Sequence, residues 1–521
     1  MPTAAHANTP EALGAYVRAR ALDAAGQVNL AAANYAAALA AAPGDPVVAV
    51  RAYREGIAAG DLALATRAAA VLEQAGVAPP DTAVLALARA VHGRDWTAAQ
   101  AAAARLERGP LAFLAPAALG WIAFERGAPD LSALTADSSN LLARRFNAEN
   151  RALLQIAGGQ VDAGLASLRL LLGIDAGNAG LRISAAQLLA ARGRKEEARA
   201  LLAGDDPVLA AERRALGRRV KPGAAWGVAR LFDRLAADIA DGDARTLAIL
   251  LTRSALLLDP RDDGARLILA QALAADGSPG TALATLAQVS ASSPRAAAAP
   301  AVRIAILAAN GDGSAALTAA ARLNDDDDAS GADARRLGDL LAGAGRYDEA
   351  AAAYATAIAR TEAPAEWSLL LQRGGALERA GRWEEARPLL EQAAALAPDE
   401  PVVLNYLGYA QVERGENVAA ARALLERAAR LRPDDAAITD SLGWAYVMSG
   451  DLAKALPLLE RAARAEPADV AIQEHLGDAL WRSGRRYEAR YAWRAASVYA
   501  DAGEAERLSL KLARGLERAQ P

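Results

Sequence analysis

The chain contains no cysteine. It therefore holds no disulfide, no thiolate nucleophile, no cysteine-based zinc site and no thiol to carry a lipid. Aromatic residues make up only 4%, and β-branched residues are sparse, which disfavours sheets. There are three histidines, His6, His92 and His475. They are too far apart in sequence for a His-Glu-x-x-His zinc motif. The 58 basic residues nearly cancel the 62 acidic ones, leaving a formal charge of -4, so no basic stripe for nucleic acid is expected. No apolar run reaches the roughly 18–20 residues that span a bilayer. No phosphate-binding Gly-x-x-x-x-Gly-Lys-Ser/Thr loop occurs. Gly311-Asp312-Gly313-Ser314 resembles a dinucleotide loop only faintly, because no strand precedes it.

What is abundant is alanine, the best helix former. A chain of 521 residues is too long for one globular core. A repeat array escapes that limit, since each repeat packs on its neighbours alone. At the start, Ala5-His6-Ala7 fits the small-x-small pattern of a signal-peptidase site without an apolar stretch before it. Residues 1–11 read as a disordered tail or a signal-peptide remnant.

Internal periodicity sets the expected fold. Segments beginning at Trp367, Pro401, Ala436 and Val470 align, with starts 34, 35 and 34 residues apart. The eighth place is Gly374, Gly408, Gly443 and Gly477. A turn glycine follows seven residues later: Gly381, Gly415, Gly450 and Gly484. Next come Ala386, Ala421, Ala455 and Ala489, then a large residue, Leu390, Leu425, Leu459 and Trp493. A second alanine follows at Ala393, Ala428, Ala462 and Ala496. Pro398, Pro433 and Pro467 close three of the segments. The second segment carries one extra residue around Glu416–Asn417. Small residues permit close approach of a first helix (A) to a second (B), and the turn glycine accepts positive φ cheaply. The large residue is expected to fill the space between repeats. Pro388 and Pro457 are placed near the end of the first turn of helix B, where an N–H is dispensable.

These residues resemble the tetratricopeptide-repeat (TPR) family. The pattern continues upstream in looser form, as in Ala19, Gly26, Ala31, Tyr35 and Pro43. The expected fold is all-α, a right-handed TPR superhelix (α-solenoid) of about thirteen or fourteen helix-turn-helix repeats. The expected organisation is a degenerate array over 12–203, an irregular hinge over 204–228 and central repeats over 229–330. A well-conforming array follows over 331–503, with a capping helix over 504–521. Residues 109–145 break the pattern with Gly109-Pro110, Pro129 and the polar run Asp137-Ser138-Ser139-Asn140, so a helix there should be short or displaced. The hinge holds Asp205-Asp206-Pro207, Arg213, Arg214, Arg218, Arg219 and Lys221-Pro222-Gly223. Asp325–Asp328 reads as a solvated loop, lacking the spaced ligands of a calcium-binding loop.

The resemblance implies a concave groove lined by helix A, at its second, fifth, ninth, twelfth and thirteenth places. On this chain that gives Asn405, Tyr409 and Glu413, then Asp440, Trp444, Val447 and Met448, then Glu474, Asp478, Trp481 and Arg482. Aromatic, methionine and asparagine side chains suit a peptide or protein partner, and the acids favour a basic or neutral one. Trp444 and Trp481 either face the groove or cover the packing of adjacent helices. His475 takes an ordinary place on helix A, facing solvent or packed at an edge.

Over residues 400–500 the resemblance narrows. Asn405-Tyr406-Leu407-Gly408-Tyr409, Asp440-Ser441-Leu442-Gly443-Trp444 and His475-Leu476-Gly477-Asp478 occur in the order of a family of bacterial envelope TPR proteins. That family includes lipoprotein adaptors of the LbcA type, which bring a carboxyl-terminal processing protease to cell-wall hydrolases. The lipid-bearing cysteine is missing here. The resemblance implies a non-enzymatic adaptor without cofactor or metal. It favours the periplasm or cell envelope over the cytoplasm, and the solenoid ends are free to pair. The alternatives are a cytoplasmic assembly scaffold and the regulatory module of an enzyme. A polar pocket in a non-repeat domain near 109–228 would favour the last of these.

Overall fold

The computed structural model describes residues 10–135, 139–175, 178–204, 206–217, 220–240, 242–361 and 366–516. The Ala5-His6-Ala7 segment, Asp137, Ser138, Asp205, Arg218 and Arg219 lie outside these. Among the described residues there are 29 α-helices, three short 3-10 turns and no strand. The chain forms an all-α solenoid of helical hairpins. It divides into two compact units, one ending at Ala319 and one beginning at Ala320.

In the C-terminal unit five hairpins follow one another: Gly331–Gly343 with Tyr347–Ala359, Trp367–Arg379 with Trp383–Leu396, Pro401–Glu413 with Val418–Leu431, Ala436–Met448 with Leu452–Ala465, and Val470–Arg482 with Arg486–Tyr499. A single helix, Ala502–Arg514, ends the unit. Asp435 and Asp469 cap two A helices by accepting from the backbone N–H of Ile438 and Ile472, both at 3.0 Å, a bond that satisfies an otherwise orphan donor. The turn glycines adopt positive φ, +78° at Gly381 and +80° at Gly450. The extra residue of the Pro401 repeat is absorbed at Asn417, with φ +44°. Asparagine tolerates that conformation better than most residues.

The large residue of helix B lies directly on the eighth-place glycine of its own hairpin, not only between repeats as the spacing suggested. A Cβ on Gly374, Gly408 or Gly443 would stand 2.8 Å from Leu390, Leu425 or Leu459. On Gly477 it would stand 2.4 Å from the Trp493 ring. All four large residues are fully buried. Pro388 and Pro457 also differ from expectation. Each is the sixth residue of its helix, so each removes one interior hydrogen bond, yet the helices run on to Leu396 and Ala465.

The N-terminal unit begins with hairpins of the same kind: Pro10–Ala24 with Val28–Ala41, Pro46–Ala59 with Leu62–Gln74, and Thr82–His92 with Trp96–Leu106. Helix Ala115–Glu125 follows alone, flanked by 3-10 turns at Ala112–Leu114 and Ser132–Leu134. The next hairpin is Leu141–Ala157 with Val161–Ile174, its start capped by Asn140. Ala179–Ala191 then meets the seven-residue helix Lys195–Leu201. The segment between residues 204 and 228 contains helix Pro207–Ala215, capped by Asp206, and the start of helix Ala224–Ile239. That start is firmly held. Glu125 accepts from the Ala224 N–H at 3.2 Å, and Gly227 lies flat on the Trp121 ring. Helix Arg245–Leu258 packs back on Pro46–Ala59 and Thr82–His92, and Arg253 donates to the Ala58 carbonyl at 2.7 Å. Contacts across 195 residues depart from the neighbour-only rule of a simple solenoid. Asp325, Asp326, Asp327 and Asp328 are all exposed in a turn.

The glycine contact is directly testable. Gly443→Leu should cost about 1–3 kcal/mol or more through overpacking, read as a lower melting temperature. Gly343→Ala should be neutral or stabilise by up to about 1 kcal/mol, because Gly343 ends a helix with open space around it. Equal melts for both variants would contradict the packing described.

Candidate functional site

The A helices of the C-terminal unit present their fifth, ninth and thirteenth places side by side, because each hairpin is locked at the same glycine. The structure fills this face unevenly. Asp440, Trp444, Val447, Glu474 and Asp478 are buried. Asn405, Tyr409 and Trp481 are half-buried, and Glu413, Met448 and Arg482 are exposed.

The Trp444 ring is not offered to solvent. It stacks on His475, with centroids 4.3 Å apart and planes 15° from parallel, and its indole N–H donates to Glu413. Arg482 lies 5.5 Å from the Trp444 ring centroid. His475 Nδ1 meets Asp440 Oδ2 at 2.7 Å, and the Tyr409 ring is 6.1 Å away. Burial disfavours the imidazolium, but the hydrogen bond and charge of Asp440, with Glu413 and Asp478 nearby, outweigh it and raise the His475 pKa. A protonated imidazole stacked on indole gains further from the ring quadrupole. His475 is thus a structural centre, and the sequence reading undervalued it. The signal was available: it sits one place further along its helix than Asp440 does, one repeat later.

Glu474 and Asp478 are occupied by the terminal helix. Arg507 donates to both oxygens of Glu474, at 2.9 and 2.8 Å. Lys511 reaches Glu474 at 2.7 Å and Asp478 at 2.8 and 2.7 Å. Burial alone would raise the Glu474 pKa, but these cations hold it down at about 2. Trp493 donates to Asp478 at 2.9 Å. Trp481 packs on Trp493 and beneath Gly515. The acids predicted to meet a partner are therefore neutralised within the chain at this end.

The face stays open one repeat earlier. A cleft of about 500 Å³ is lined by Glu378, Arg379, Tyr406, Tyr409, Glu413 and Arg414. Tyr409 and Glu413 were expected there; the other four were not named from sequence, although Glu378 and Arg379 hold the twelfth and thirteenth places of their helix. Arg414 donates to Glu378 at 2.6 Å and lies 4.4 Å over the Trp383 ring. Tyr406 donates to Glu378 at 3.2 Å. Burial, then the charge of Glu378, pushes the Tyr406 phenol up to about 12. Burial, then Glu413 and Asp440, raises that of Tyr409. Both hydroxyls therefore stay protonated as donors. On the same two A helices, Asn405 Oδ1 and Gln372 Oε1 are buried acceptors without a hydrogen-bond partner, each costing about 1–3 kcal/mol.

Models of the tetratricopeptide repeat match residues 335–401 and 441–505, and a second such model matches 377–443. Residues 335–505 thus carry tetratricopeptide repeats. No curated protein matches the chain. Among solved structures, a thermophilic TPR protein of Thermus thermophilus is 23% identical over 35% of this chain and 100% of its own, with a TM-score of 0.32. YrrB, described as a TPR protein with an unusual peptide-binding site, is 18% identical over 34% and 89%, with a TM-score of 0.29. MamA of Desulfovibrio magneticus RS-1 is 20% identical over 32% and 94%, also at 0.29.

The His475–Asp440 pair sets a pH dependence. The folded pKa of His475 is raised, so its contribution is full below the unfolded value of about 6.5 and is lost as pH rises through the folded value. The melting advantage of the wild type over His475→Gln should shrink with rising pH across that window. An advantage that is flat or grows with pH would show that the pair does not hold the imidazolium.

Proposed function

We propose that this protein is a non-catalytic scaffold that holds an extended segment of a partner protein along the A-helix face from Trp367 to Glu413. The observation that carries the reading is the open cleft lined by Glu378, Arg379, Tyr406, Tyr409, Glu413 and Arg414. An extended segment brings backbone N–H and C=O groups that Glu413 and Arg379 of the lining can meet, and tyrosine supplies contact area with a polar tip. Catalysis finds no support at this face, since Glu378 is held by Arg414 and Tyr406, and Glu413 by Trp444.

The narrower reading is an adaptor of the bacterial envelope that keeps a protease or an assembly factor close to its substrate. Support comes from the order of the Asn405–Tyr409, Asp440–Trp444 and His475–Asp478 motifs. The intramolecular pairing of Glu474 and Asp478 weakens the expectation of a strongly basic partner. The cleft carries Arg379 and Arg414 as well as Glu378 and Glu413, so a partner of mixed or neutral character fits it better. Antibody detection after osmotic-shock fractionation of the native cell tests the compartment; recovery with cytoplasmic markers alone would favour the cytoplasmic scaffold.

Selection of a displayed peptide library on the full-length protein tests the binding face. Peptides enriched by the wild type should bind Tyr409→Ala/Asn405→Ala about tenfold or more weakly, the loss expected of a central aromatic anchor, with an unchanged circular dichroism spectrum. Equal binding by the variant, or no enrichment by the wild type, would discard this face as the site. Trp444→Ala is a poor probe of the same idea. Removing a buried aromatic ring costs about 3–5 kcal/mol of stability and would confound binding with folding.

A further inference from the structure

The N-terminal unit contains a cavity of about 490 Å³ that the proposed scaffold role does not use. Four helices converge on it: Leu141–Ala157, Ala179–Ala191, Ala224–Ile239 and Asp263–Ala275. Its size falls within the roughly 300–1,000 Å³ typical of small-ligand sites. Part of its wall is apolar, formed by Leu153, Ile183, Leu267 and Ile268. The rest is charged, in two groups of different balance.

The first group is closed. Arg145 pairs with Asp238 and approaches Glu149 at 3.8 Å. Arg234 meets Glu149 at 3.3 Å and pairs with Asp238. Two cations face two anions, and nothing is left over.

The second group is not balanced. Arg230 serves three carboxylates: Asp259 at 2.7 Å, Asp233 at 3.5 Å, and Asp262. Arg295 also lines the cavity and its charge acts on Asp262, but it is paired with Glu212 at 3.3 Å. Asp262 is 8% exposed. Both oxygens of Asp233 are buried and accept no hydrogen bond, and its carboxyl lies within hydrogen-bond reach of that of Asp262. Burial, then the charge of Asp262, drives the Asp233 pKa well above the usual carboxyl range. Three carboxylates thus share one arginine at this end of the cavity.

The lining also excludes other ligands. An anion would find every lining arginine already paired. Among the described residues no three carboxylates or imidazoles are placed to hold a metal ion. An alkylammonium group satisfies both parts of the wall. Its charge offsets the excess of carboxylates, and its methylene stem covers apolar surface.

We propose that this cavity binds an alkylammonium group, with Asp233 and Asp262 as counter-ions and the Leu153–Ile183–Leu267–Ile268 wall around its stem. Binding releases the Asp233 proton to solvent as the ammonium takes its place. The same chemistry arrives as a free diamine or as a lysine side chain of a partner segment.

Titration calorimetry on the full-length protein separates these sources. The probes are cadaverine and the blocked peptide Gly-Lys-Gly. The neutral controls are pentanol and the same peptide with norleucine in place of lysine. At least one amine should bind saturably, with release of about one proton, read from heats in two buffers of different ionisation enthalpy. Saturation by cadaverine alone identifies a free amine as the ligand, and saturation by the peptide alone identifies a partner's lysine. Asp262→Asn should weaken binding about tenfold or more, as expected when one counter-ion of a buried pair is removed. Asparagine keeps the helix cap that Asp262 supplies to Ala265, so folding should persist. Asp233→Asn, isosteric with the protonated acid, gives the same test if the first variant unfolds. Absence of saturable binding by both amines, equal binding of the neutral controls, or unchanged affinity in a folded variant would overturn the proposal.

Discussion

One contact recurs through the well-formed repeats, and the rest of the C-terminal unit depends on it. A residue without a side chain lies under a large one: Gly374 under Leu390, Gly408 under Leu425, Gly443 under Leu459, Gly477 under Trp493. The missing Cβ lets the two helices of a hairpin approach closely at that point. The large residue is then fully removed from water, a gain of roughly 1.5–3 kcal/mol each. Because the contact fixes helix A in rotation, its fifth, ninth and thirteenth places fall on one face in every repeat. The shared A-helix face is therefore a geometric consequence of the glycine, not a separate feature.

This explains why the C-terminal repeats were legible. Glycine inside a helix is costly, so its regular return at one place announces a backbone constraint. In the N-terminal half that place is more often alanine, such as Ala19, Ala186 and Ala270, all fully buried. Alanine is also the commonest helix former at every other place, so it marks nothing. The return of helix Arg245–Leu258 onto Pro46–Ala59 was not legible at all. It is made by generic apolar faces and one arginine, and no local period encodes a contact across 195 residues. Pro388 was misjudged by a fraction of a turn because no side chain marks its helix start at Arg382; Pro457 was misjudged alike although Asp451 caps its helix.

The residue types of the groove were also legible, but their partners were not. Glu474 and Asp478 each find a cation 33 residues later, in Arg507 and Lys511. That interval is close to one repeat, so the terminal helix takes the place of a further A helix and supplies the charges. His475 reaches back 35 residues to Asp440 in the same manner. An acid read alone on one helix looks free to bind a partner; read against the same place one repeat on, it is already matched.

Counting charges against their neighbours therefore separates structural polarity from polarity left open. A buried ion pair contributes little net stability, whereas a buried charge without a partner is expensive. At the C-terminal end every buried acid of the groove has a cation or a donor from the chain itself, and the face becomes a wall. At the Tyr409 cleft the charges balance, Arg379 and Arg414 against Glu378 and Glu413, and the tyrosines leave the face open. In the N-terminal cavity the imbalance is of charge, three aspartates against Arg230, and burial with the charge of Asp262 raises the Asp233 pKa. The two openings thus differ in kind, one of balanced charge between tyrosines and the other with an excess of carboxylates. Neither is explained by the packing that builds the repeats around them.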